Sequence, residues 1–396
     1  MSLAVPKVQP RTVVVQPTAR CNLDCAYCYV PDRRDRAVMT AEVLDASADF
    51  IFGCDLPPGE IEFHWHAGEP LAAGLAFYQR AFAVLAERAP PDVRLRHVIQ
   101  TNGTLLTRRW CELLAEYGVQ VGLSLDGPAD LHDRSRRTRS GRGTHARVMA
   151  GYRRLRDHGI SPGAICVLRR GSFEFPDRIY DFFVEAGFAS VGFNVEESEG
   201  VYLRSELLRA GLGEIRQSYV AFMKRIWQRW WTGGCSIEIR EFHQLLGCLE
   251  RLRQDAAFVR EPAETVPFRI LTIRRDGAVG TFSPELAATP SREYESFVLG
   301  NVLTDTPAQV ARGVAFQRLH RDIAVGRSRC REECSYFPVC GAAFQSNRFT
   351  EHGTFRATET LTCRLHRQAL TDVIVDELKD HFEPSGPPAT SGSKLD

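Results

Sequence analysis

Long apolar runs are missing from this chain of 396 residues. No segment approaches the roughly 18 consecutive uncharged apolar residues that a membrane-spanning helix requires. The first residues, Met1 to Pro10, also contain no apolar stretch of signal-peptide length. We therefore expect a cytoplasmic protein with no membrane partner.

The chain also has no large excess of either charge, since 50 basic residues are balanced by 49 acidic ones. Nucleic acid or an anionic surface would call for a strongly basic balance. We therefore predict no nucleic-acid partner. Because 44% of this long chain is hydrophobic, it can bury a large core, and its length predicts more than one domain.

The chain does contain 12 cysteines, three of them within eight residues. The spacing Cys21-x3-Cys25-x2-Cys28 can hold three corners of a [4Fe–4S] cube and leaves the fourth iron without a protein ligand. Such an open iron can bind and reduce a substrate or cofactor. The alternative is a zinc site, but structural zinc usually takes paired Cys/His sets that supply all four ligands together.

The residue before Cys28 is aromatic, Tyr27, and the motif C-x3-C-x-Φ-C resembles that of the radical S-adenosylmethionine (radical SAM) superfamily. The resemblance implies that the open iron chelates the amino and carboxylate groups of SAM. It also implies that one electron cleaves SAM into methionine and a 5′-deoxyadenosyl radical. An external donor such as flavodoxin or ferredoxin would supply that electron.

Short apolar runs alternate with longer amphipathic stretches in the first half of the chain. This alternation predicts an α/β fold with a parallel sheet. The resemblance to radical SAM enzymes sharpens this prediction to a partial (β/α)6 TIM-like barrel over residues 13–204, after an N-terminal extension over residues 1–12. The predicted strands are Val13–Gln16, Ile61–His66, Leu95–Gln100, Val119–Leu125, Gly163–Leu168 and Val191–Val195. The predicted helices are Thr40–Ile51, Leu75–Arg88, Thr107–Tyr117, Ala146–His158 and Phe175–Ala186.

Candidate site residues follow the predicted strands, because chemistry gathers at the carboxyl ends of the strands in parallel α/β folds. Gly68-Glu69-Pro70 resembles the superfamily's GEP segment, which faces the amino group of the bound methionine moiety; Ala67 replaces the glycine that usually precedes it. A carboxylate is the natural partner of an ammonium group in a partly desolvated site. Taken alone, these segments also fit ordinary turns. The resemblance implies further SAM contacts from Tyr27, Asn102, Ser124, Asp126 and Asn194.

The basic run from Arg134 to Arg147 lies in a connection on the same face as these segments. It contains two glycines and many charges, which is typical of a solvated loop. We predict a loop there, with a contact to an acidic peptide as the alternative.

A second set of thiols follows in the C-terminal part of the chain. It consists of Cys330, Cys334, Cys340 and Cys363. Four thiolates are enough to saturate a second [4Fe–4S] cluster. Before them, Phe268 to Phe282 predicts a β-hairpin that turns at Asp276-Gly277.

This arrangement resembles the SPASM domain, a C-terminal extension of peptide-modifying radical SAM enzymes. Full SPASM domains carry further cysteines at the end of the hairpin and shortly after the C-x5-C pair. Here Phe282-Ser283-Pro284 and Gly341 to Phe344 occupy those places. We therefore expect one auxiliary cluster in a SPASM-like domain over residues 268–382. A helical bridge over 205–267 would precede it, and a disordered tail rich in Pro, Ser and Gly over 383–396 would follow.

The sequence around the thiols resembles that of a narrower group, the cyclophane-forming maturases of the GrrM/OscB type. The resemblance is carried by CSYFPVCGAA (334–343), TETLTCR (358–364), FSPEL (282–286) and VQPT (15–18). It implies an enzyme that crosslinks a ribosomally made precursor peptide, joining a side-chain β-carbon to an aromatic ring. The adduct must then lose an electron, which suits the auxiliary cluster, and a proton, which requires a carboxylate. The candidate bases are Asp126, Glu196, Glu197 and Glu285.

Other outcomes start from the same radical. They are an ether or thioether crosslink, epimerisation, or formylglycine formation as in anaerobic sulfatase maturation. Sulfatase-maturating relatives carry the full SPASM cysteine set, which argues mildly against the last. The auxiliary cluster could instead have only a structural role, stabilising the C-terminal domain. A protein of a different class would be a non-catalytic iron–sulfur or zinc scaffold that binds peptides.

Overall fold

One sheet of ten strands runs through the part of the chain that the computed structural model describes, residues 5–382. The spatial order is β10-β9-β8-β1-β2-β3-β4-β5-β6-β7. β1 to β6 pair in parallel in sequence order, so the predicted parallel barrel sheet is confirmed. The strands are β1 Thr12–Gln16, β2 Gly59–Trp65, β3 Val93–Thr101, β4 Gln120–Ser124, β5 Gly163–Leu168, β6 Ser190–Val195, β7 Glu238–Ile239, β8 Ile270–Arg274, β9 Ala278–Thr281 and β10 Gly300–Asn301.

Helices connect the strands of the barrel and form most of the remainder. The barrel helices are α1 Ala41–Phe52, α2 Leu75–Arg88, α3 Arg108–Glu116, α4 Ala129–Ser135, α5 His145–Asp157 and α6 Pro176–Glu185. The later helices are α7 Glu206–Arg209, α8 Leu212–Thr232, α9 Arg240–Gln254, α10 Pro307–Arg312, α11 Val314–Glu333, α12 Phe337–Cys340, α13 Gln345–His352, α14 Leu361–Cys363 and α15 Leu370–Phe382. Among the described helices, none combines the length and apolarity needed to cross a bilayer.

Local signals place the barrel helices where the sequence predicts them. The Thr40 hydroxyl accepts a hydrogen bond from the Val43 amide at 3.2 Å and starts α1, and Thr107 caps α3 in the same way. The short helix α4 is a difference, because the sequence does not predict it; it precedes the basic stretch predicted to be a loop and includes that stretch's first two residues. Its buried side chains Leu131 and His132 hold it against the barrel.

Strand β2 shows how the alternating pattern creates a core on one face and a site on the other. Phe63 and Trp65 are fully buried, and Trp65 packs edge-on against Tyr78 and Phe82 of α2. Successive strand residues point to opposite faces, so His64 and His66 point into the barrel. The barrel interior is therefore polar at the end of this strand.

The predicted hairpin is confirmed as β8 and β9, with Gly277 at the turn in the left-handed region. Strand β8 pairs in parallel with β1, so the sheet continues across residue 268, where the sequence suggests a domain boundary. The reason is the open edge of β1, whose backbone groups need partners. At the hairpin's end Phe282 is fully buried beside Phe316. The tail predicted to be disordered, residues 383–396, lies outside the described residues.

Candidate active site

A cavity of about 420 Å³ lies at the carboxyl ends of the parallel strands. Its wall contains most of the site residues proposed from the sequence: Cys21, Cys25, Tyr27, Cys28, Gly68, Asn102, Ser124, Asn194, Glu196, Glu197 and Glu285. Glu69, Pro70 and Asp126 are buried directly behind this wall, and the four C-terminal thiols lie elsewhere. The fold therefore brings together side chains that are more than 250 residues apart in the chain.

The cysteine loop is fixed to the segment after α4 by backbone hydrogen bonds. The Asp24 amide donates to the Arg137 carbonyl at 2.8 Å, and the Ala26 amide donates to the Ser135 carbonyl at 2.9 Å. Burial raises the pKa of the Cys21 thiol to about 12 and that of Cys25 to about 11. Neutral thiols are thus favoured by the protein alone, and a cationic iron centre would reverse that preference by binding the thiolates.

The donor set fits an iron–sulfur cube better than a single metal ion. Three thiols line one cavity wall on an eight-residue loop. Across residues 5–382, no three His, Cys, Asp or Glu side chains converge as the ligands of one ion do. A cube does not require such convergence, since each thiolate binds a different iron.

Glu69 is a buried carboxylate held by three donors. Its Oε1 accepts from the Thr101 hydroxyl at 2.6 Å and from the Leu71 amide at 3.1 Å, while Oε2 accepts from the Asn102 amide at 2.8 Å. Burial nevertheless raises its pKa to about 7. A ligand ammonium group beside it would favour the ionised form. This is the property expected of the GEP carboxylate.

Gly68 is required by the geometry of the same turn. Its φ of +57° is in the left-handed region, and a Cβ there would lie 2.6 Å from the Arg20 carbonyl oxygen. The Glu69 amide donates to that same carbonyl at 2.7 Å, which joins the GEP turn to the start of the cysteine loop. Ala67 also has a positive φ, +68°, so it occupies a conformation that glycine would adopt without strain.

Asn102 connects the third strand to the cysteine loop. Its side-chain amide donates to Asn22 Oδ1 at 2.9 Å and approaches the Sγ atom of Cys21 at 3.9 Å. Ser124 accepts from Gln100 Nε2 at 3.0 Å, and Asn194 accepts from Arg240 at 2.6 Å. All three predicted contacts line the cavity and have fixed orientations.

Asp126 is the centre of a buried network under the cysteine loop. Its Oδ2 accepts from the Tyr27 hydroxyl at 2.5 Å and lies 3.0 Å from Arg136 Nε. Its Oδ1 accepts from the Val167 amide at 3.0 Å. The Arg136 guanidinium also lies 5.3 Å from the centre of the Tyr27 ring. Both carboxylate oxygens are therefore engaged, Oδ2 with the cysteine loop and Oδ1 with strand β5.

The prediction that the whole basic run is solvated is wrong for Arg136. This side chain is 7% exposed, and Asp126 raises its pKa further above its ordinary value. No signal within the run distinguishes Arg136 from its neighbours. Its burial depends on an aspartate ten residues earlier that the barrel brings beneath it.

Both carboxylate oxygens of Glu196 are likewise occupied by contacts within the protein. Its Oε1 accepts from the Tyr202 hydroxyl at 2.6 Å and from Arg169 Nε at 3.3 Å, and its Oε2 accepts from the Glu206 amide at 3.1 Å. These contacts fix the segment that leads from β6 to α7. The carboxylate therefore has a positioning role.

A group of carboxyls with raised pKa values forms the far wall of the cavity. It comprises Glu197, Glu199 and Glu285, which come from the end of β6 and from the segment after the hairpin. Burial raises the pKa of Glu197 to about 8, that of Glu285 to about 7 and that of Glu199 well above its usual range. Glu197 accepts from the Thr362 hydroxyl at 2.9 Å, and Glu199 from the Ser346 hydroxyl at 2.7 Å. Carboxyls whose pKa values are raised by burial therefore share the cavity with the cysteine loop.

The four C-terminal thiols also gather in one place, from the last turn of α11, from α12 and from α14. Burial raises the pKa of Cys363 to about 12, and the nearby thiols Cys340, Cys334 and Cys330 add to that effect. Arg348, on α13, donates from Nη2 to the Sγ atom of Cys330 at 3.0 Å. Four mutually close thiols with a cationic donor fit a fully ligated cluster. The sequence gives no hint of Arg348.

Comparison with known proteins agrees with this geometry. Residues 15–183 match the Radical SAM superfamily. The uncharacterized protein sll1766 of Synechocystis is 39% identical over 372 residues, which cover 93% of this chain and 92% of that protein. A serine-type anaerobic sulfatase-maturating enzyme of Bacteroides thetaiotaomicron is 36% identical over 187 residues. The chain spans about half the length of such serine-type enzymes.

The fold resembles a solved structure over nearly its whole length. It is that of native anSMEcpe with bound AdoMet and Cp18Cys peptide, with a TM-score of 0.74 and 20% identity. The match covers 94% of this chain and 98% of that one. The fold is therefore shared over nearly the whole of both chains.

Proposed function

Because this chain belongs to the radical SAM superfamily of enzymes, we propose that it is a maturase that crosslinks a ribosomally made precursor peptide. The proposed product is a carbon–carbon cyclophane between an aromatic ring and a nearby side-chain β-carbon. The observation that carries the proposal is the shared cavity, in which the three-cysteine loop faces carboxyls with pKa values near neutrality.

The residues divide into those that hold SAM and those that hold the loop. Cys21, Cys25 and Cys28 would ligate the SAM-binding cluster, and Glu69 would face the ligand's ammonium group. Further contacts would come from Tyr27, Gly68, Pro70, Asn102, Ser124 and Asn194. When bound, the cluster supplies one electron that splits SAM into methionine and a 5′-deoxyadenosyl radical. An external donor such as flavodoxin or ferredoxin would restore that electron. Asp126 and Glu196 act by positioning the cysteine loop and the 198–206 segment.

The crosslink removes two hydrogen atoms from the peptide. The first leaves the β-carbon as a hydrogen atom and forms 5′-deoxyadenosine, and the resulting carbon radical adds to the ring. The second leaves the ring as a proton and an electron. Among the candidate bases, Glu285 fits the proton best, because it lines the cavity with a pKa of about 7 while both oxygens of Asp126 and Glu196 are already engaged.

The set Cys330, Cys334, Cys340 and Cys363 would hold an auxiliary [4Fe–4S] cluster that accepts the departing electron. A cluster with a thiolate on every iron exchanges charge without binding peptide. Glu197 lines the cavity and is hydrogen bonded to Thr362, next to Cys363. The second thiol set therefore lies directly behind the wall at which the proton is lost.

The second candidate function is formylglycine formation, favoured by the sulfatase-maturating relatives. The end of the hairpin argues against formylglycine formation, because the buried ring of Phe282 replaces the cysteine expected there in a full SPASM domain. An ether or thioether crosslink or epimerisation would use the same cavity. Formylglycine made from serine and each of the crosslinks lose the same two hydrogen atoms, so they are distinguished by where fragmentation is blocked and by the aldehyde of formylglycine. Epimerisation leaves the mass unchanged.

The test is tandem mass spectrometry of the short peptide encoded beside this gene, after co-expression with the enzyme. The expected result is loss of two hydrogen atoms per event, with fragmentation blocked between an aromatic residue and a nearby one. Cys28→Ala should leave the peptide unmodified, and NMR would distinguish carbon from oxygen attachment. An unchanged mass with deuterium uptake from heavy water would replace crosslinking with epimerisation. An aldehyde at a serine or cysteine position that reacts with a hydrazide probe, with fragmentation not blocked, would favour the second candidate.

A further inference from the structure

Three large apolar side chains are exposed close together in the segment that follows β6. Val201, Leu203 and Leu208 have exposed fractions of 52%, 64% and 44%. The other exposed large apolar side chains stand apart along the chain. They are Val5, Trp231, Leu303, Val314 and Val325. A concentration of apolar side chains on the surface is typical of a binding surface.

This segment is held firmly despite its exposed side chains. Glu199 and Tyr202 exchange two backbone hydrogen bonds, of 2.9 and 2.8 Å. The Ser205 hydroxyl accepts from the Leu207 amide at 3.1 Å and caps α7. Because the backbone is fixed from inside, the apolar side chains are presented outward as a preformed surface.

Of these three residues, Leu208 lines a groove of about 520 Å³, and Val201 and Leu203 precede it by seven and five residues in the chain. Leu207, Leu208 and Leu212 line it from one segment, and Leu361 lines it from the short helix α14, which also carries Cys363. The charged groups at its edge are paired within the protein: Arg364 contacts Glu359 at 2.5 Å and Arg329 contacts Glu333 at 3.2 Å. The groove therefore offers apolar contact and little net charge.

The groove and the cavity are lined by different residues, but the segments that line them are in contact. The Val201 amide donates to the carbonyl of Tyr29, a cavity residue, at 3.1 Å. On the opposite side, Thr362 follows Leu361 and donates to Glu197 of the cavity. The groove is therefore within a few residues' reach of a peptide that has one part in the cavity.

We infer that Val201, Leu203, Leu208, Leu212 and Leu361, here called the apolar ledge, bind an apolar segment of the substrate peptide that flanks the residues in the cavity. The inference rests on the proposed function for the identity of the occupant. Proximity to the cavity favours the substrate peptide over a second copy of this chain. The paired charges favour an apolar segment over an acidic or basic one. The ledge gives the enzyme a recognition surface outside the reacting site.

The test uses the reconstituted holoenzyme and a fluorescein-labelled form of the peptide encoded beside this gene. Leu203→Glu and Leu208→Glu should weaken binding by about tenfold or more in fluorescence anisotropy, because each places a charge on the apolar contact. Leu303→Glu is the matched control, since Leu303 is 45% exposed elsewhere on the surface, and it should leave the affinity within about twofold. All three variants should release 5′-deoxyadenosine from SAM without peptide at the wild-type rate, which shows that they fold.

The outcomes separate this inference from the proposed function. Equal affinity and equal modification by the ledge variants and the control would overturn the ledge while leaving the maturase intact. A peptide that the wild type binds but never modifies would overturn the proposed function and leave the ledge standing. Loss of a concentration-dependent dimer in Leu203→Glu, with peptide affinity unchanged, would assign the surface to self-association and overturn the inference. A photo-crosslinking residue at position 208 should label the peptide in the wild-type background.

Discussion

The guanidinium of Arg348 donates a hydrogen bond to the Sγ atom of Cys330 at 3.0 Å, and the arginine is 2% exposed. A buried positive charge on a thiolate ligand favours the more negative, reduced state of a cluster. Gly326 packs closely beside it, because a Cβ there would lie 2.0 Å from the Phe355 carbonyl oxygen and 2.8 Å from Arg348 Nη1. Arg348 is therefore placed to set how readily the auxiliary cluster accepts an electron.

We expect Arg348→Gln to lower the reduction potential of the auxiliary cluster. A tenfold change in the one-electron equilibrium, about 59 mV, is a reasonable size for a buried charge. The measurement is a redox titration followed by electron paramagnetic resonance, with Arg348→Lys retaining part of the effect. Arg318→Gln is the control, since it removes an exposed arginine from the other end of α11. An unchanged potential in Arg348→Gln would leave the arginine a purely structural role.

Glu285→Gln should separate radical formation from product formation. The variant should still release 5′-deoxyadenosine but form crosslinked peptide about a hundredfold more slowly, because the base is absent. In the wild type the carboxyl is protonated below its pKa of about 7, so product formation should rise as the pH passes through 7. That rise should be missing from the variant's residual activity.

Glu293→Gln is the matched control, since it changes an exposed glutamate eight residues further along. It should keep both the rate and the pH profile. If Glu285→Gln forms product at the wild-type rate with the same profile, the base is another carboxyl of the wall, with Glu197 the next to test.

Arg136→Gln should destabilise the cysteine loop. Removing the cation leaves Asp126 buried with an unpaired charge, which typically costs about 3 to 5 kcal/mol when one partner of a buried pair is lost. We expect a lower thermal midpoint and fewer iron atoms per chain after reconstitution. Arg137→Gln, which changes the adjacent exposed arginine, should behave like the wild type. Wild-type iron content in Arg136→Gln would show that the network does not support the loop.

The sequence predicts the parts of the site that are local in the chain. The three-cysteine loop, the GEP turn and the hairpin at Gly277 each combine backbone and side-chain requirements within a few residues. The roles of Arg136 and Arg348 cannot be predicted in this way. Each is one arginine among many, and only the fold places it beside Asp126 or Cys330. The pairing of β8 with the open edge of β1 cannot be predicted locally either, because more than 250 residues lie between the two strands.

The GEP turn allows a matched comparison of two neighbouring residues. Gly68→Ala would force a Cβ to within 2.6 Å of the Arg20 carbonyl and a left-handed φ on alanine, so the turn must shift. The Glu69 amide donates a hydrogen bond to that same carbonyl, so a shift of the turn moves the Glu69 carboxylate, which would face the ammonium group of SAM. We expect SAM affinity to fall by about tenfold or more, measured by calorimetry on the reconstituted enzyme.

Ala67→Gly is the opposite change one residue earlier. Ala67 already has a left-handed φ, so glycine relieves strain of about 1 kcal/mol there at a similar cost in chain entropy. SAM affinity and the thermal midpoint should both stay close to those of the wild type. If the two variants weakened SAM binding equally, the turn would be sensitive to any change, and the close approach to Arg20 would not be the cause.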